Sequence, residues 1–167
     1  MRRLSFLVIL LGCLVSLCSM TCEGDDYKRG RNSDYEPITL DRTNFDNSIR
    51  FGVSNPMKQA GKIYVYKQWI FISDLNKGFH VYDNTNPETP VLKSFIEVPG
   101  ATDMAIRNDI VYINQAVDLV AIQVDPNKSE VKVLKRIQSV FPTKKSPDGF
   151  IYGMKTDKKV VVDWVKK

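Results

Sequence analysis

Residues 79–92 read FHVYDNTNPETPVL: a strand-like run that breaks into four turn-formers, Asp83-Asn84-Thr85-Asn86, before Pro87. Asx side chains bond backbone groups further along, and proline fixes φ, so this cluster reverses the chain without tertiary help. From Val91 the chain is β-like again. The stretch reads as a hairpin turn between two strands. The question it raises is whether the chain repeats it.

It does. Beyond Gly61 come short runs rich in β-branched and aromatic residues, each bounded by Gly, Pro, Asn or Asp. The first four are 62–66 (KIYVY), 69–73 (WIFIS), 78–83 (GFHVYD) and 91–98 (VLKSFIEV). The next four are 102–107 (TDMAIR), 110–114 (IVYIN), 118–124 (DLVAIQV) and 131–138 (VKVLKRIQ). Ile70-Phe71-Ile72 meets Val111-Tyr112-Ile113 at a shift of 41, and YDNTNPETP corresponds to QVDPNKSEV. A period near 40 with four strands per unit is the spacing of β-propeller blades. The expected fold is all-β, built of antiparallel four-stranded blade-like repeats, a partial β-propeller. The units fall at 61–98 and 102–138, with a partial third at 149–167 whose strands are expected at 149–154 (GFIYGM) and 159–164 (KVVVDW). Val98-Pro99-Gly100 supplies the turn between the first two units.

The N-terminal end reads differently. Met1-Arg2-Arg3 precedes an apolar run at 4–11 (LSFLVILL), the pattern of a secretory signal. All three cysteines, Cys13, Cys18 and Cys22, lie in or just after it, so the rest of the chain carries no disulfide framework and no thiolate chemistry. The segment resembles a bacterial lipoprotein signal, which implies cleavage before an acylated cysteine. Cys22 is preferred, because cleavage there leaves the polar stretch EGDDYKRGRNSD. Cys13 is the alternative and fits the usual lipobox better, with Leu10 and Gly12 before it. The acidic Glu23-Gly24-Asp25-Asp26 resembles the surface-export signal of Bacteroidetes-type lipoproteins, or is a solvated linker. Residues 1–21 are thus expected to be the signal peptide and 22–60 the lipid-attachment cysteine with a polar tether and lead-in. Within that lead-in, Pro37-Ile38-Thr39-Leu40 and Ile49-Arg50-Phe51 are candidates to pack on the domain.

The formal charge of +5 falls with removal of Arg2 and Arg3 to 22 basic against 19 acidic residues. That mild, interspersed balance argues for solubility and against a nucleic-acid partner. A lysine-rich end, from Lys144 to Lys167, reads as charged protection of strand edges.

The blade motifs resemble those of the LVIVD-repeat proteins, a family of bacterial, often lipid-anchored, propeller-like proteins. The matching positions are Gly78, Val81-Tyr82-Asp83, Asn86-Pro87 with Pro90, Val98-Pro99-Gly100, Asp103-Met104-Ala105 and Asp118-Leu119-Val120. The second unit departs from the pattern, with Asp125-Pro126-Asn127 in place of an Asn-Pro-x-x-Pro turn. The resemblance implies a propeller-like fold and no particular chemistry. Family members usually carry more repeats, and repeats bury their faces on neighbours, so an open side calls for a partner.

Catalytic residues are not expected. His80 is the only histidine, set between Phe79 and Val81 on a strand, and it reads as packing. Asp74, Asp83, Asp103 and Asp118 sit at strand ends, where loops could gather them around a cation such as calcium. Turn capping explains Asp83, Asp103 and Asp118 more simply. No metal and no cofactor is expected. Tyr64, Tyr66, Trp69, Phe71, Phe79, Tyr82 and Trp164 offer a carbohydrate platform or, more simply, a core. The resulting expectation is a non-catalytic, outer-membrane lipid-anchored envelope protein, periplasmic or surface-exposed. It would act as a protein- or glycan-binding or scaffolding module, with a homo-oligomer as one way to complete the open sheet edge. A glycan-active hydrolase or lyase at the loop face, and a truncated propeller relative without independent function, are the rivals.

Overall fold

The structure is a computed structural model and describes residues 33–52, 56–153 and 157–167. The expected signal peptide, Cys13, Cys18, Cys22 and the acidic stretch after Cys22 lie outside the described residues. No described helix is long and apolar enough to cross a membrane.

The protein is all-β, with antiparallel sheets. The two central sheets are the two four-stranded units, in sequence order. Strands β3 (Ala60–Tyr66), β4 (Trp69–Asp74), β5 (Gly78–Asp83) and β6 (Val91–Glu97) form the first as a meander. Strands β7 (Ala101–Arg107), β8 (Ile110–Gln115), β9 (Asp118–Asp125) and β10 (Glu130–Ile137) form the second. The registers repeat too. Ile63 opposite Ile72 and Val65 opposite Ile70 become Met104 opposite Ile113 and Ile106 opposite Val111.

Alternation puts one face of each sheet into a common core. Trp69, Phe71, Phe79, Val81 and Ile96 of the first sheet pack with Met104, Val111, Ile113, Val120 and Ile122 of the second. All ten are buried, and each large apolar side chain so placed contributes about 1.5–3 kcal/mol. The turns that shape the sheets come from local chemistry. The backbone N–H of Thr85 donates to Asp83 Oδ1 at 3.0 Å, and that of Asn127 to Asp125 Oδ1 at 3.1 Å. The stretch after Tyr82 is therefore an Asx turn, and it recurs once in the second sheet. Between β7 and β8, Asn108 and Asp109 both take positive φ (51° and 62°), the backbone of a tight two-residue hairpin.

Between the sheets, Gly100 at φ +83° closes the connecting turn, where Ala101 N–H donates to the Val98 carbonyl at 3.0 Å. A Cβ on Gly100 would sit 2.9 Å from the Ala116 Cβ, so the β8–β9 turn approaches as closely as glycine permits.

Two regions differ from the sequence expectation. The stretch read as tether and lead-in carries regular structure at 35–46 and 50–52, which takes in the segments expected to pack around Leu40 and Phe51 but goes beyond them. It forms β1 (Tyr35–Asp41), the short helix α1 (Arg42–Asp46) and β2 (Arg50–Gly52). β2 adds a fifth strand to the first sheet by pairing with β6. The third unit is not a blade of its own strands. Residues 149–153 form no strand, Met154 lies outside the described residues, and β11 (Lys159–Lys166) pairs antiparallel with β1. The resulting two-stranded sheet docks through Leu40, Val160 and Val162 onto Phe45, Ala116 and Val117. Long-range pairing supplies what the local pattern lacks: β1 has a proline at its third position and is legible as a strand only beside its partner.

Candidate functional site

The carboxylates singled out as possible cation ligands are held apart, each by its own partners. Asp74 accepts the backbone N–H groups of Lys58 and Gln59 at 3.1 and 3.0 Å. Asp83 closes its Asx turn. Asp103 takes the Lys62 ammonium and the Tyr64 hydroxyl, which pull its carboxyl below the ordinary value against the opposing effect of burial. Asp118 is not a turn cap alone. Its wholly buried side chain receives Arg42, Arg136 at 2.9 Å and the Ser139 N–H at 3.0 Å. Burial would raise this carboxyl, but the hydrogen bonds from Arg42, Ser139 and Arg136 outweigh it and leave it lowered. Among the described residues, no group of three His, Cys, Asp or Glu side chains is placed to hold a metal ion.

His80 packs as a core side chain. It is 2% exposed, its ring lies 4.7 Å from that of Phe95, and Nε2 is 3.6 Å from Asp74 Oδ2. Both ring nitrogens lack a hydrogen-bond partner among the described residues.

The aromatic set does not stay together. Phe79 lies in the core, Tyr64 ties β3 to Asp103, and Tyr82 lies on the opposite face of the first sheet. Trp164 donates its indole N–H to the Lys144 carbonyl at 3.2 Å, away from the others. Tyr66, Trp69 and Phe71, however, converge with Phe51 along a groove of about 1010 Å³ between the two sheets. The groove is bounded by the β3–β4, β7–β8 and β9–β10 turns, with Ile106 and Val111 on its far wall. Trp69 and Phe71 reach it only from the core, at 7% and 4% exposed, whereas Tyr66 and Phe51 are half-buried at its side.

Charges at the groove mouth are paired among themselves. Lys67 binds Asp109 and holds that carboxyl below its usual value. The Tyr66 hydroxyl donates to Asp109 Oδ1 at 3.3 Å and accepts the Asp109 N–H at 3.2 Å, fastening the β7–β8 turn to β3. Lys128 lies 3.5 Å from Asp125, and Arg50 lies 2.8 Å from Glu97. Glu130 and Lys132 line it as well, beside amide and hydroxyl groups such as Gln68, Gln123, Asn127 and Ser129, so the lining is more polar than apolar. Such a surface suits a hydroxyl-rich or peptide-like partner.

Sequence reasoning placed Tyr66, Trp69 and Phe71 in one aromatic group but missed Lys67 and Asp109. The signal was faint: two turns, one per repeat, carrying opposite charges about one repeat apart.

No protein-family model, curated protein or solved structure matches the chain.

Proposed function

We propose that this chain is a non-catalytic, lipid-anchored envelope module whose paired sheets hold a protein or glycan partner in the groove between them. The observation that carries this is the groove itself: the half-buried rings of Tyr66 and Phe51 beside amide and hydroxyl groups, with Lys67 and Lys128 held by Asp109 and Asp125. Aromatic faces stack on sugar rings or peptide apolar groups, while the amides supply direction. The lipoprotein-like leader and the LVIVD-like blade motifs support attachment to the cell envelope, through Cys22 or Cys13.

Calorimetric titration tests it, using neutral oligosaccharides and muropeptide fragments as glycan probes and solubilised envelope proteins captured by crosslinking from Lys128. Saturable binding of one class, weakened at least tenfold by Tyr66→Ala, supports the groove. Binding that is indifferent to Tyr66→Ala, or no binding in either arm, overturns it.

A further inference from the structure

The two central sheets use opposite faces to meet, and the repeat registers show what each free face is built to do. In the second sheet, the face turned toward the first is Met104, Ile106, Val111, Ile113, Val120 and Ile122. Through the shared registers, its counterparts in the first sheet are Ile63, Val65, Ile70, Ile72, His80 and Tyr82. These lie on the reverse face of the first sheet, where His80 is itself buried beside Phe95 and the others are half-buried or exposed. Ile63 and Val65 are 64% and 66% exposed, and Leu92 beside Tyr82 is 41% exposed. The first sheet therefore presents outward the same kind of apolar face that the second uses to receive a neighbour.

The converse holds at the other end. The first sheet inserts Trp69, Phe71, Phe79, Val81 and Ile96 into the core. The second sheet's counterparts, Ile110, Tyr112, Leu119, Ala121 and Ile137, lie on its own reverse face. Ile137 is 49% exposed and the other four are half-buried.

We infer that a second copy of this chain seats the reverse face of its second sheet on the reverse face of the first sheet of its neighbour. Within one chain the receiving face already has an occupant, the first sheet's inserting face. The free receiving face is filled in kind by the counterpart inserting face, which a second copy carries. The contact is face to face, with the apolar residues at its centre. Arg107, Lys132 and Lys135 share the inserting face, and Asp74 and Glu97 share the receiving one, so these two sets of charges are of opposite sign. Because the two faces are different patches, the association is head to tail, giving a ring where the rotation closes and a chain of copies where it does not. The groove opens between the inner faces, so groove binding and this association can fail separately.

The test is site-specific photocrosslinking in the full chain, expressed with its own leader in the cell envelope. A benzoylphenylalanine at position 65, already exposed, leaves the core untouched. Two differently tagged copies are co-expressed, irradiated and mapped by mass spectrometry. The expected result is an adduct between the two tags, of twice the chain mass or a ladder of multiples, with the attachment within β8, β9 or β10. Ile137→Lys, at an exposed position, should lower its yield at least fivefold. An adduct only to other proteins, only within one chain, or to another part of the second copy overturns the inference. So does no adduct, or an Ile137→Lys yield equal to wild type.

Discussion

Arg136 Nη1 lies 2.9 Å from Asp118 Oδ2, and Asp118 takes Arg42 from the opposite side. Both guanidinium groups also stand over the Phe45 ring, at 5.1 and 5.3 Å. One carboxylate thus joins the second sheet to α1, and α1 carries the chain from β1 to β2. Replacing it leaves two poorly exposed cations with Asp46 as their one remaining carboxylate among the described residues, at 2.9 Å from Arg42 and 3.4 Å from Arg136. Asp118→Ala is expected to destabilise the fold by about 3–5 kcal/mol, as removal of one partner from a buried ion network does. The sign of the pH dependence comes from the lowered carboxyl. Stability from Asp118 is complete above its unfolded value, near 3.8, and is lost as pH falls through the lower folded value. Urea unfolding from pH 7 to pH 3 should therefore show a steeper acid loss in wild type than in Asp118→Asn.

Gly78 opens β5 at φ +145°, where a Cβ would lie 2.0 Å from the Ile96 carbonyl oxygen. That oxygen is backbone of the paired strand, so it cannot swing aside as a side chain does. Gly78→Ala should lower stability by about 2 kcal/mol or more, from an unfavourable φ and forced strand separation together. Thermal unfolding reads this directly. Gly149→Ala is the control: it has a positive φ of 84° but nothing within 4 Å of the added carbon, so it should cost less.

The two four-stranded units were legible in sequence because their determinants are local. Asp83 and Asp125 write their turns into residues two positions on, and Ile70 and Val111 repeat in strands whose partners are the next strands along. The β1–β11 sheet was not legible, because Tyr35 finds its partner at Lys166, across the whole folded unit. Conversely, residues 149–153 have strand-like composition but pair no strand: the Gly149 N–H donates to the Ser146 carbonyl at 2.9 Å, and Phe150 exchanges hydrogen bonds with Ser146 instead. The same distinction governs the groove. Tyr66 and Trp69 stand out as aromatics in sequence, whereas the pairing of Lys67 with Asp109 exists only once the two sheets are stacked. Asp118 is the sharpest case. Its turn position suggested a cap, while its main partner, Arg42, sits 76 residues away in a segment that carries no periodic signal.

The Lys144 ammonium is drawn in beside Asn76, in a cluster where Lys77 lies 2.7 Å from Asp163 and Asn76 donates to Asp163 at 2.5 Å. Burial pushes Lys144 down to about 8, with Asp163 opposing the shift and Lys77 adding to it. The unfolded chain holds this proton up to about 10.5, so between the two values unfolding takes up a proton. Stability from this site therefore rises with pH across that window, and below it the protein carries the cost of a buried charge. A difference of that size corresponds to about 3 kcal/mol. Lys144→Met keeps the length of the side chain and removes the charge. Its stability relative to wild type should be greatest at pH 7 and should shrink toward pH 10, in paired urea unfolding curves. A constant difference across that range would mean that Lys144 titrates as an ordinary surface lysine and that the Asn76–Asp163 cluster is held by geometry alone.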